Sequence, residues 1–183
     1  MTGKRPRLPR TTNATALARL PRLVASLIAG ALAIFVNTLA LMLADVISLP
    51  TAHGGLLRLI SPWFTPLLAG LGVIDVWSRI GGPPSASPAF QTGFHIAVGI
   101  AMAIFYAFAV EPLDEARPIN IALGLAAIIW IANAAVVLPL IGEGFAGSAH
   151  LTLAGMVWFA AAHTLFFIAV ALIYRSLRSW PSS

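Results

Sequence analysis

The chain contains no cysteine among its 183 residues, which removes disulfides, thiolate metal sites, iron–sulfur clusters and cysteine nucleophiles from consideration. Charge is almost as scarce: 9% of the residues are Asp, Glu, Lys or Arg, against about a quarter in a soluble domain. So few ionised side chains cannot cover a water-facing surface. Nor does the sequence hold strand-type alternation long enough for a membrane barrel, or a repeat of fixed period.

Hydrophobic residues are what the chain does have, at 59% of the total. A hydrocarbon core of about 30 Å takes about 20 mostly apolar residues per helix, and four runs meet that requirement, at about residues 23–47, 90–110, 119–141 and 151–174. The first run exceeds the core of a secretory signal and lacks a small-residue cleavage site, so it is expected to remain as an anchor. Residues 1–22 carry prolines and a basic cluster without apolar period and read as a disordered cytoplasmic tail. Residues 23–178 form one transmembrane helical domain, and 179–183 a short C-terminal tail. Between the first two runs, residues 49–89 mix Pro, Gly, Trp and isolated charges with apolar patches too short to span. One or two interfacial or re-entrant helices are expected there, followed by a turn-rich linker, "GGPPSASP". The expected fold is all-α, an integral membrane four-helix bundle with that extra segment between spans one and two.

Lys and Arg outnumber Asp and Glu by 11 to 6, but their positions flank the apolar runs, which argues against nucleic acid as a partner. With four spans, Lys4, Arg5, Arg7, Arg10, Arg19, Arg22, Arg117, Arg175 and Arg178 share one side and only Arg58 and Arg79 the other. The positive-inside rule makes the first side the cytoplasm, with both termini there. A five-span alternative, with residues 56–80 also crossing, would put Arg175 and Arg178 outside.

Helical rise places Asn37, Asn133 and His163 in one layer near the midplane, each some 13 or 14 residues from the start of its span. His95 and Asp45 fall nearer the outer end, and Glu143 and His150 sit in the outer loop. At about 100° per residue, small and polar residues share one face of most helices: Ser26, Gly30, Ala33, Asn37, Ala40, Ala44 and Ser48 in the first, and Gln91, His95, Gly99, Met102 and Tyr106 in the second. Such faces suit close helix contacts. His163 has two readings, a neutral partner that fixes packing register or a proton carrier or ligand contact. A haem between His95 and His163 conflicts with their estimated depths, which differ by roughly 12 Å. His53, His95, His150, Asp45 and Glu143 lack metal-ligand spacing. "GEGFAG", residues 142–147, has the letters of a dinucleotide fingerprint but no strand to feed it. It is expected, with Pro139, to end the third span in a tight turn. Ser148 and His150 make no triad.

From residue 139 to 174, "PLIGEGFAGSAH" followed by "AGMVWFAAAHTLFFIAVALIY" resembles the ends of small bacterial inner-membrane proteins of unknown function, and more loosely the YagU-like type. The resemblance covers about a fifth of the chain. It implies a bacterial cytoplasmic membrane and four spans, and transfers no catalytic residue.

Three functional readings follow from these residues. The first is a non-enzymatic accessory or self-associating membrane component, with the lipid bilayer and a membrane-protein partner or a second copy around it. The second is a small transporter or proton-linked pore through the Asn37, Asn133 and His163 layer. The third is a membrane protein that binds haem or a metal. No catalytic residue, metal site or cofactor is assigned from the sequence.

Overall fold

Proline sets where three of the four long helices begin. Its fixed φ and missing N–H suit the first helical turn, where Pro88 and Pro118 stand in the second and third spans, while Pro21 immediately precedes the first. The computed structural model describes residues 20–51, 55–113 and 117–179. Its four long apolar helices are Arg22–Val46, Pro88–Leu113, Pro118–Leu140 and Leu153–Ser179, the first to fourth spans. Ser87 caps the second, accepting a hydrogen bond from the Phe90 N–H at 3.3 Å, and Thr152 does the same for the Gly155 N–H at 3.2 Å. Arg22, expected in the tail, is the first residue of the first helix. Residues 1–19 of the tail, His53 and residues 180–183 lie outside the described residues.

Two of the spans widen into a π-turn, and each π-turn ends two residues before a proline. Tyr106–Val110 precedes Pro112, and Asn133–Val137 precedes Pro139. A proline inside a helix lacks an N–H and presses its ring on the carbonyl four residues back; a wider turn accommodates both faults. Pro139 lies in the last turn of the third span, which ends one residue later at Leu140. The chain turns afterwards, with Gly142, Gly144 and Gly147 at positive φ.

The helix register fixes the topology. Between the first and second spans the close pairs are Gly30 with Ala103, Ile34 with Gly99, and Asn37 with His95; the numbers rise on one helix as they fall on the other, so the two are antiparallel. The first and fourth are antiparallel as well, through Asn37 with Ala162 and Trp158 with Ala40. Arg178 donates to the Leu20 carbonyl at 2.9 Å, joining both ends of the described chain. The first span packs against the second and the fourth, and the third against the fourth.

Residues 55–79 form two helices, Gly55–Gly70 and Val73–Arg79, bent by 84° at Gly72. Gly72 has φ +71°, a conformation that costs an L side chain strain. Because the first and second spans are antiparallel, the segment joining them leaves and returns at one end of the bundle. A single additional crossing there, as the five-span alternative needs, would make those spans parallel.

On the buried face of the first span lie Ala25, Ser26, Ala29, Gly30, Ala33, Ile34, Asn37 and Ala44. Phe35, Met42, Ile128, Ile131, Val157 and Leu172 stand exposed. An apolar exterior around a core of small residues is what a helix bundle needs in lipid, where close approach rather than hydrophobic exclusion binds the helices.

Candidate functional site

The buried Asn37 amide joins three helices. Its Nδ2 donates to the Ala162 carbonyl at 2.8 Å, and its Oδ1 accepts from His95 Nε2 at 3.0 Å. This corrects the sequence-based depth of His95. The ring lies level with Ala162, beside His163, rather than nearer the outer end, because the second helix begins at Pro88 and sets His95 seven residues in, close to the nine that separate Asn37 from Val46. The depth argument against a His95–His163 pair falls with it. Each ring instead gives one nitrogen to the protein: His163 Nδ1 donates to the Phe159 carbonyl at 2.9 Å.

His163 is held by an aromatic cluster. The Phe159 ring meets it edge-on with centroids 4.6 Å apart, Trp130 lies 6.0 Å away, and Trp130 and Phe159 pack edge to face at 5.6 Å. Asn133 follows one turn after Trp130 and opens the π-turn of the third span, a feature often found at functional sites.

Asn37, Asn133 and His163 all border one cavity of about 690 Å³, within the range of small-molecule sites. His95 and Asp45, expected in an outer group with Glu143 and His150, border it too. All four spans contribute walls, and Gly55, Leu56 and Leu57 of the bent pair complete them. Towards the chain termini the space is closed by a core that includes Tyr106, Phe166, Phe167, Val170 and Tyr174. Towards the interhelical loops it reaches Asp45, Pro88 and Gln91. It is thus a vestibule with one closed end.

Glu143 and His150 form a separate cluster with a partner missed in the sequence. Arg58 Nη1 lies 2.7 Å from Glu143 Oε1, and His150 Nδ1 lies 2.6 Å from Oε2. A guanidinium placed 85 residues away in the chain left no signal in spacing. The clip ties the bent pair to the loop between the third and fourth spans, beside the Gly55–Leu57 wall of the cavity. Among the described residues no group of three or more His, Asp or Glu is placed to hold a metal.

The Arg58 hydrogen bond holds the Glu143 carboxyl below the usual carboxylate range, with burial opposing it and His150 assisting. A depressed carboxylate pKa contributes stability above the unfolded value and loses it as pH falls through the folded one. Stability of the wild-type protein in detergent is therefore expected to drop in acid, as pH falls below the usual carboxylate range, by no more than the roughly 0.5–1 kcal/mol of an exposed ion pair, because Arg58 is half exposed. Glu143→Gln should remove that component of the pH profile.

Four long apolar helices define a multi-pass α-helical membrane protein. No protein-family model, curated protein or solved structure matches the chain significantly.

Proposed function

We propose that the protein is a non-enzymatic component of a bacterial cytoplasmic membrane that takes a small, largely apolar molecule into its vestibule. The proposal joins the non-enzymatic part of the first sequence reading to the intramembrane site of the second, and the likeness to small YagU-like inner-membrane proteins belongs with it. One observation carries it: a cavity of about 690 Å³ meets all four spans, and its lining is apolar apart from a few convergent polar groups. That is the usual make-up of a ligand pocket. The closed end favours binding or carriage over a standing pore. A reading with a metal gains less support, because among the described residues no group of three or more His, Asp or Glu is placed to hold one and His95 Nε2 is bonded to Asn37.

Orientation is part of the proposal. Nine basic residues on the side of the termini against two on the other put both termini in the cytoplasm. Reporter fusions should place the C-terminus inside; an external C-terminus overturns this orientation.

For the binding role, mass spectrometry of protein purified in mild detergent should find a co-purifying small molecule. Met102→Trp, which fills the vestibule without removing a polar group, should lose it. A vestibule that holds only lipid or detergent, unchanged by Met102→Trp, would sink the reading.

A further inference from the structure

We infer that the vestibule selects a neutral amphiphile whose head is a hydroxyl, able to donate one hydrogen bond and accept another. The inference rests on the vestibule being a binding site and adds the chemistry of its occupant.

Among the described residues the lining contains no Lys or Arg, and its ionisable groups are Asp45, His95 and His163. A phosphate or carboxylate head would enter low-dielectric surroundings without a cation to pair with, and would meet the Asp45 carboxylate at the mouth. Burial of an unpaired charge is too costly to favour such a ligand. A neutral head is left.

Most of the polar groups along the walls are already used by the protein. Asn37 bonds with Ala162 and His95, the Thr38 hydroxyl donates to the Ile34 carbonyl, and the Gln91 amide donates to the Ala86 carbonyl. Thr92 is exposed, whereas Asn133 and His163 are partly buried and differ from the rest. With His163 Nδ1 donating to Phe159, the neutral ring presents Nε2 as an acceptor. Among the described residues that nitrogen has no protein partner, and neither has the Asn133 side-chain amide. Both border the vestibule from spans that pack on one another, and Trp130, one turn before Asn133, lies against the His163 ring. An O–H donating to His163 Nε2 while its oxygen accepts from Asn133 Nδ2 satisfies both. An ether would leave His163 unmatched, and a carboxylate would add the charge that the lining cannot pair. Phe94, Val98, Met102, Ile129 and Phe166 supply the apolar walls for the remainder of the molecule.

The test uses the full chain in lipid nanodiscs and a photoactivatable diazirine derivative of dodecanol, with dodecanol, dodecyl methyl ether and dodecanoate as competitors. Saturable labelling of the third and fourth spans is expected, with dodecanol competing about tenfold better than the ether or the acid, the value of one hydrogen bond. Asn133→Leu and His163→Phe should each weaken labelling about tenfold. If either variant fails to fold, the competitor series on the wild-type protein still decides. Equal competition by alcohol and ether, or preference for the acid, overturns the hydroxyl head while leaving a binding vestibule in place. Label that never saturates and spreads over exposed residues such as Phe35 and Ile128 overturns the vestibule as well.

Discussion

Gly30→Leu is expected to destabilise the protein by about 2 kcal/mol or more, the largest effect of any single change considered. A Cβ at position 30 would stand 2.8 Å from Ala103 Cβ and 3.1 Å from Ile100 Cα. Neither atom belongs to a flexible side chain that can swing aside, so the first and second spans would have to separate. Leucine favours the helix over glycine by about 1 kcal/mol, but forcing a branched side chain into a filled interface costs about 1–3 kcal/mol and often more. Moving the spans apart would also stretch the Asn37–His95 hydrogen bond farther along the same interface, so packing wins. Thermal unfolding in detergent measures the loss. A double-mutant cycle identifies its cause: Ala103→Gly should relieve a substantial part of the penalty of Gly30→Ala. Additive effects of that pair, or a Gly30→Leu protein as stable as wild type, would contradict the close approach of these helices.

Asn37→Leu follows, with an expected cost of about 2 kcal/mol. Hydrogen bonds inside membrane proteins average about 0.6 kcal/mol and reach about 1.7, and this substitution removes two at once. It also takes a partner from the His95 N–H and the Ala162 carbonyl, though the carbonyl keeps its place in the helical ladder, so the two lost bonds carry most of the cost. The volume of the side chain is nearly kept, so cavity formation adds little. His95→Leu should cost less after Asn37→Leu than before it, because the shared bond is already gone. Unfolding measurements on both single variants and the double variant supply the cycle; full additivity would show that the two side chains do not interact.

Much of this architecture was legible before any coordinates. Run length and the shortage of charge called for four membrane helices, and the structure has four helices of that kind within a few residues of the expected limits. The Pro- and Gly-rich stretch after the first span called for short interrupted helices, and Gly55–Gly70 and Val73–Arg79 occur there. Such features are local: period, turn residues and apolar length act through the nearest few residues.

Depth and partnership were not local. The position of His95 depends on where its helix starts, and a shift of two residues moves a side chain by about 3 Å. Nothing near His95 in sequence announces Asn37, which lies 58 residues away. Arg58 read as an isolated charge in an irregular stretch, and only the folding of the bent pair onto the loop after the third span gave it Glu143 and His150. The π-turns could have been suspected from Pro112 and Pro139, but the alternative, a helix ending at Pro139, satisfied the same residues.

The sequence by itself determined the class of the protein, because bilayer thickness and the cost of bare backbone groups in lipid leave an apolar 20-residue run almost no choice but a helix. The tertiary structure decided the rest. The antiparallel register brought Asn37 to His95 and returned the bent pair to one end of the bundle. The packing of the fourth span beside the first and third left a space bordered by Asn133 and His163. Contacts between helices depend on matching shapes across the whole length of each interface, and that matching is a property of the pairs, which no single stretch of sequence contains.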